Sequence, residues 1–191
     1  MSKINRQGKQ QVPKIRFDGF SGDWEQRTIA SLSETTIGGG TPSTVIEKYW
    51  QGEIPWIQSS DLHIDNVLDI SPTKKITENA IENSAARLIP KNSLAIVTRV
   101  GVGKLCFLPY EYATSQDFLS LVGLNINHLY ATYSLYRFLQ EEKNKVQGTA
   151  IKGLTKADLL SQKISVSPSI EEQTQIGNFF QQLDKLIELQ T

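Results

Sequence analysis

The sequence has little of the chemistry that metals and disulfides need: one cysteine, Cys106, and two histidines, His63 and His128. A lone cysteine excludes a disulfide within the chain, which suits a reducing compartment. Cys106 lies between Leu105 and Phe107, a setting typical of a small buried hydrophobic residue rather than of a reactive thiol. The histidines share no ligand spacing with Cys106, so we expect neither a metal ion nor another cofactor.

Long apolar runs are also missing. No apolar stretch approaches the ~20 residues of a membrane span, and the first 17 residues, MSKINRQGKQQVPKIRF, lack the apolar centre of a secretory signal. The 191 residues include 39% hydrophobic and 21% charged side chains, ordinary values for a globular protein. We therefore expect a cytoplasmic protein with one globular unit and no membrane contact.

Net charge is absent overall but not locally, since 20 basic and 20 acidic side chains cancel. Residues 1–16 carry five basic side chains and no acidic one, residues 17–86 are strongly acidic, residues 87–163 are basic again, and residues 164–191 are acidic. This alternation permits a basic face, which is the electrostatic footprint of nucleic-acid binding. It does not require one, because most charge runs are solvated surface.

Short strand and helix signals alternate without a repeat, which predicts a mixed α+β fold with a twisted mixed sheet and short flanking helices. Strands are predicted at 24–28, 54–57, 94–98, 104–108 and 118–122, and between 163 and 166. Helices are predicted after Thr77 and Thr155 and from Asn127 to about residue 147, each beginning at a capping side chain. Residues 94–98 and 104–108 are expected to form a hairpin.

The loop Gly38-Gly39-Gly40-Thr41-Pro42-Ser43 is the first candidate binding site. Glycines let a backbone come close to a ligand, and Thr41 and Ser43 offer hydroxyl groups beside exposed amides. A phosphate would suit this loop, although no lysine follows the glycines as in a Walker loop. A purely structural turn is the commoner role of such glycines.

Three further loops carry side chains suited to DNA. Arg99, Lys104 and Lys152 could supply counter-charge to phosphates, although the turn between Arg99 and Lys104 could equally be an ordinary hairpin tip. Polar side chains at the ends of predicted strands could contact base edges; they are Gln58, Ser60 and Gln116.

The tail predicts an amphipathic helix that begins at a capping box formed by Ser169 and Glu172. One face of this helix is apolar; its candidate interface residues are Ile176, Phe179, Phe180, Leu183, Leu186 and Ile187. Such a helix either packs on its own domain or forms a seam with a second helix.

Seven blocks follow one another along the chain: a start led by Trp24, then GGGTPS, IPWIQSSDL, TRVGVGKL, ATSQDF, GTAIKGLTKADL and SPSIEEQTQIGNFFQQLDKLI. Their order, over roughly residues 13–191, resembles one half of the specificity subunit of type I restriction-modification systems. The family's full subunit is similar to two such units in tandem. The resemblance therefore implies a half-subunit or a truncated form.

The polar and basic composition of residues 1–22 predicts a flexible arm. The resemblance implies a target recognition domain at 23–167 and the start of a coiled-coil-type spacer helix at 168–191. The domain would read part of a bipartite site in double-stranded DNA, and the helix would hold methyltransferase subunits. A restriction and translocation subunit would be an indirect partner, and a second copy of the chain could pair through the helix. Catalysis would lie elsewhere, because the sequence has no Asn-Pro-Pro-Tyr methylation motif and no dinucleotide fingerprint.

Two alternatives remain open from the residues alone. A small enzyme could hold a phosphate-bearing substrate at the glycine loop, but its candidate bases, Asp61, Asp117 and His63, lack partners at motif spacing. An interaction protein could capture methyltransferase subunits without reading DNA.

Overall fold

The computed structural model describes residue 13, residues 16–145 and residues 155–190. Within these residues the α+β class is confirmed. The strands are β1 (Glu25–Thr28), β2 (Ser33–Gly38), β3 (Ile54–Ile57), β4 (Lys74–Ile76), β5 (Ser93–Val97), β6 (Leu105–Leu108), β7 (Ala113–Thr114), β8 (Phe118–Leu124) and β9 (Lys163–Val166). The α-helices are α1 (Glu78–Asn83), α2 (His128–Lys145), α3 (Lys156–Ser161) and α4 (Ile170–Glu188).

The strands form three sheets rather than the single mixed sheet expected. A four-stranded antiparallel sheet has the order β2-β8-β5-β6, a three-stranded sheet has the order β4-β3-β7 with β3 and β7 parallel, and β1 pairs with β9. Strand β5, one of the two central strands of the larger sheet, is buried on both faces and separates two hydrophobic cores. Leu94 and Ile96 pack into a core with Leu135 of α2, while Ala95 and Val97 face a second core.

The predicted local signals are confirmed. The β5–β6 hairpin forms as expected, and the three expected helix caps accept the amides of the first turn. Their bonds are Ala80 N to Thr77 Oγ1 at 3.2 Å, Tyr130 N to Asn127 Oδ1 at 3.0 Å, and Asp158 N to Thr155 Oγ1 at 3.1 Å. Helix α2 is described to Lys145, so its predicted end near residue 147 lies outside the described residues.

Cys106 is the small buried residue that the sequence predicts. It lies on β6 with no exposed surface and packs into the second core. Burial, with a contribution from the charge of Asp69, raises the pKa of the thiol to about 12, so the reactive thiolate is not populated near neutral pH. Among the described residues, no cluster of three or more His, Cys, Asp and Glu side chains could hold a metal ion.

The start of α4 corrects one detail of the predicted capping box. Ser169 Oγ accepts the Glu172 amide at 3.1 Å as expected, but the Glu172 carboxylate does not return to the Ser169 amide. Ser167 Oγ accepts that amide instead, also at 3.1 Å. The physical reason is competition, because Glu172 is fully buried and its oxygens are bound by stronger, distant donors.

In the part of the chain described, no helix is long and apolar enough to cross a membrane.

Candidate nucleic-acid interface

Four loops meet at one edge of the sheets. They follow β2, β3 and β5 and connect β7 to β8, with residues 39–46, 58–61, 98–104 and 115–117. Strand β8 is antiparallel to β2 and β5, so it begins where they end. Strand β7 is parallel to β3, so both finish at the same edge. The topology therefore brings together loops that are up to 78 residues apart in the sequence.

The two glycines that begin the first loop, Gly39 and Gly40, pack closely against neighbouring segments of the chain. Gly40 N donates to Thr114 O at 2.8 Å. A Cβ on Gly39 would collide with Thr114 Oγ1 and Ser115 O, and one on Gly40 would collide with the carbonyl of Ala85. Close packing alone is thus enough to require glycine at both positions.

The polar end of the same loop faces outward and meets the β7–β8 loop. Thr41 Oγ1 donates to Gln116 Oε1 at 2.6 Å, and both Gln116 and Ser43 are exposed. The bond uses the carbonyl of the Gln116 amide and not its NH2 group. The indole of Trp50 donates to Ser43 O at 3.1 Å, and that of Trp56 donates to Gly40 O at 3.0 Å, so the loop is held from behind.

Lys104 ties two loops together. Its Nζ donates to Ser59 O at 3.1 Å and to Leu62 O at 2.8 Å, and the side chain is half-buried. Two carbonyl acceptors already hold the ammonium group that the sequence suggested as a phosphate ligand. Its geometry is that of a brace between the β5–β6 turn and the turn at 59–61.

The turn after β3 contains two of the predicted base-edge residues and a buried acid. Ser60 is exposed and Gln58 half-buried. Asp61 is nine-tenths buried. Its Oδ2 accepts a hydrogen bond from the backbone amide of Gln58 at 2.9 Å, and its Oδ1 accepts one from Thr73 Oγ1 at 3.2 Å. Asp61 therefore shapes the turn, with both oxygens occupied.

Arg99 is the more available of the two predicted cations that the structure describes. Its side chain is 63% exposed, and its Nε lies 3.8 Å from Asp117 Oδ1, a loose ion pair of the kind that contributes little to stability. Lys156, not selected from the sequence, lies beside the first loop, since a Cβ on Gly38 would meet its Nζ. The predicted cap at Thr155 was the signal that could have placed it in the first turn of α3. Lys152 lies outside the described residues.

The other polar cluster lies at the base of α4. The guanidinium of Arg16 donates to the two oxygens of Glu172 at 2.7 and 2.9 Å, the indole of Trp24 donates at 3.2 Å, and the hydroxyl of Ser167 donates as well. Burial would raise the pKa of this carboxyl group, but the hydrogen bonds from Arg16 and Ser167 outweigh it and lower the pKa. The carboxylate therefore fixes the start of α4 to the chain that precedes β1.

Helix α4 packs one side on α2 and is more exposed towards its end. Gly177 lies so close to α2 that a Cβ there would be 2.7 Å from Leu129 Cβ, and further along the helix Tyr133 OH donates to Asp184 at 2.6 Å. Of the predicted interface residues, Ile176 is half-buried on the first core, Phe179 and Phe180 are exposed but contact Phe17 and Tyr133, and Leu183, Leu186 and Ile187 are exposed.

An α+β domain with this architecture is known from solved structures. A specificity (HsdS) subunit from Thermoanaerobacter tengcongensis is similar with a TM-score of 0.63 at 16% identity, covering 87% of this chain and 38% of that one. A type I S subunit from M. genitalium is similar with a TM-score of 0.65 at 17% identity, covering 93% and 43%. At these identities the likeness shows the fold.

The sequence shows the family. The family model described as type I restriction modification DNA specificity domain matches residues 21–191, and the chain belongs to that family. The MjaIX specificity subunit of Methanocaldococcus jannaschii is 31% identical over 170 residues, which cover 87% of this chain and 39% of the relative. The EcoR124I/EcoR124II specificity subunit of Escherichia coli is 29% identical, covering 86% and 42%. The chain thus spans about two fifths of these relatives.

Proposed function

We propose that this chain reads one part of a bipartite site in double-stranded DNA, as a specificity component of a type I restriction-modification complex. Family membership and the curated relatives, both specificity subunits, support this function. The chain brings no reaction chemistry in this proposal; it gives methyltransferase subunits their location directly and a restriction subunit indirectly. Such a complex works where DNA is, in the cytoplasm.

The observation that carries the proposal is the meeting of four loops at one sheet edge. Polar groups from different loops stand together there: the half-buried hydroxyl of Thr41, the exposed amide of Gln116 and the exposed guanidinium of Arg99. Base edges in the major groove offer a matching set of donors and acceptors, and phosphates offer acceptors for cations. A surface built from loops can change its sequence preference while its scaffold stays the same.

The proposed contacts combine the side-chain types that the sequence singles out with the positions of those that the structure describes. Gln116, Ser60 and Gln58 contact base edges. Phosphates lie against Arg99, with Lys152 and Lys156 adding counter-charge and Thr41 and Ser43 adding hydroxyl groups. Gly39 and Gly40 let the loop pack closely, and Lys104 positions the turn beside it.

We further propose the division into an arm at 1–22, a recognition domain at 23–167 and a spacer helix beginning at 168. The exposed apolar side chains at the end of α4, including Leu186 and Ile187, would contact a methyltransferase subunit, a second copy of the chain or a second helix of the same subunit. Light scattering over a range of concentrations distinguishes the second copy from the others, because only self-association makes the mass depend on concentration.

The salt dependence of DNA binding tests the proposed surface. Arg99→Ala should weaken binding to every duplex. It should also make the negative slope of log K against log salt less steep by about 1, because one phosphate contact is lost. Lys91→Ala is the matched control, since Lys91 is exposed beyond the opposite end of β5. An equal slope for Arg99→Ala and the native chain would remove Arg99 from the surface. No duplex binding at low salt, with or without a methyltransferase subunit, would contradict DNA reading.

The structure favours neither alternative. Asp61 is occupied by two donors, and Asp117 lies beside Arg99, so two of the three candidate bases of an enzyme already have partners; the third, His63, is exposed on the surface. An interaction protein that only captures a methyltransferase would leave the exposed loop side chains without a function; DNA titration with and without the methyltransferase distinguishes it.

A further inference from the structure

The tip of the β5–β6 hairpin carries Val100, one of two exposed valines in the four loops; the other is Val45 in the loop after β2. Val100 is 69% exposed and follows Arg99, whose side chain is 63% exposed. Single exposed apolar residues are common on protein surfaces, so exposure alone indicates nothing. The position of Val100 is informative, because it lies in the loop cluster proposed to face DNA.

The tip is held firmly from several sides. The Val97 amide donates to Lys104 O at 3.0 Å across its base, and Gln140 Nε2 of α2 donates to Gly103 O at 2.6 Å. Gly101 has a φ of +92° and lies against Ser59, to which a Cβ would come within 3.5 Å. The left-handed conformation is one that glycine adopts readily. With the Lys104 brace, these contacts pre-organise the turn around Val100.

Such a turn has a shape that DNA can accept. The major groove admits a structure as wide as a two-stranded β-ribbon. The turn at 98–104 joins two adjacent antiparallel strands, so its tip is no wider than such a ribbon, although β5 and β6 themselves lie within the four-stranded sheet. Valine is stiff at χ1 because it is branched at Cβ, so it presents its two methyl groups without much loss of side-chain freedom. A rigid apolar group between hydrogen-bonding neighbours has one counterpart on the major-groove floor, the C5-methyl group of a pyrimidine.

We propose that Val100 contacts the C5-methyl group of a pyrimidine in the major groove and so discriminates thymine or 5-methylcytosine from unmethylated cytosine. The contact rests on the proposed DNA-reading function and deepens it. Arg99 beside it would hold the phosphate backbone, while Val100 would add sequence preference through burial of a methyl group. The two neighbours would thus divide positioning and specificity between them.

Methyl removal from the DNA tests the contact. The native chain is used to select sequences from randomised duplexes at low salt, and each thymine of the selected site is then replaced singly by deoxyuridine, which lacks only the methyl group. We expect one position where this replacement weakens binding about fourfold, the effect of exposing roughly one CH2 equivalent. At that position, a comparison of 5-methylcytosine with cytosine shows whether the methyl group or the thymine ring is read.

Three variants assign the effect. Val100→Ala should abolish the difference between thymine and deoxyuridine at that position while keeping the salt slope of the native chain. Val45→Ala tests the other exposed valine of the loop surface, and Leu189→Ala, beyond the end of α4, is the control outside that surface; both should keep the difference. The inference is overturned if no position is methyl-sensitive, if Val100→Ala stays sensitive, or if Val45→Ala abolishes the same difference. Duplex binding without methyl sensitivity would overturn this inference alone, whereas no duplex binding would overturn the proposed function too.

Discussion

Two polar regions of this protein contrast in burial. At the base of α4 the carboxylate of Glu172 has no exposed surface and is bound by Arg16, Trp24 and Ser167. At the loop surface the side chains of Arg99 and Gln116 are exposed, and each has one partner among the described residues: Asp117 for Arg99 and Thr41 for Gln116. We call the buried cluster at Glu172 the closed region and the loop surface the open region.

The difference shows what each region can do. A buried charge is tolerable only while its partners are in place, so the Glu172 cluster fixes structure and has no capacity left for a ligand. An exposed pair contributes little to stability and can exchange its partner at small cost. Stability and recognition are therefore expected to separate by region, and mutations that lower one should spare the other.

The largest effect is expected at the closed region. Glu172→Ala should lower the free energy of unfolding by about 3–5 kcal/mol, because it leaves the mostly buried guanidinium of Arg16 without its carboxylate. Urea unfolding measures the loss. Glu171→Ala is the matched control, since this neighbouring glutamate is exposed; it should change stability much less. Equal losses in the two variants would remove the contrast between the regions.

Lys104 tests the boundary between the regions. Lys104→Met keeps the aliphatic length but removes the donor to Ser59 O and Leu62 O, so we expect a loss of about 1–3 kcal/mol in unfolding free energy. The salt slope of DNA binding should stay that of the native chain if Lys104 is a brace. A salt slope less steep by about 1, with unchanged stability, would instead make Lys104 a phosphate ligand and move it to the open region.

Features that depend on neighbours in the sequence could be predicted. The caps at Thr77, Asn127 and Thr155 and the β5–β6 hairpin need only residues a few positions apart. The order of seven blocks gave the family because block order is a property of the sequence alone. The division into three sheets was missed, because the hydrophobic pattern of a single strand indicates how far it is buried and not which strands it pairs with.

Partners far apart in the sequence could not be predicted. Glu172 fits a capping box by spacing, yet its main partner is Arg16, which lies 156 residues away. Lys104 looks like a free cation in a glycine-rich turn, yet it binds carbonyls more than 40 residues earlier. Charge and loop position indicate which side chains could contact DNA, and packing decides which of them are already occupied.

Gln116 provides the smallest expected effect on stability and so sharpens the comparison from the open side. Gln116→Ala removes one exposed hydrogen bond, to Thr41, and should change the unfolding free energy by less than about 0.5 kcal/mol. Its effect should appear in recognition, as a preference relaxed by about 1–3 kcal/mol at one base pair, because the amide can pair with an adenine edge. Binding to a panel of single-base variants measures this change. A uniform loss across the panel would make Gln116 a support for the glycine loop, because support for a loop affects every sequence alike, whereas a base contact affects one position.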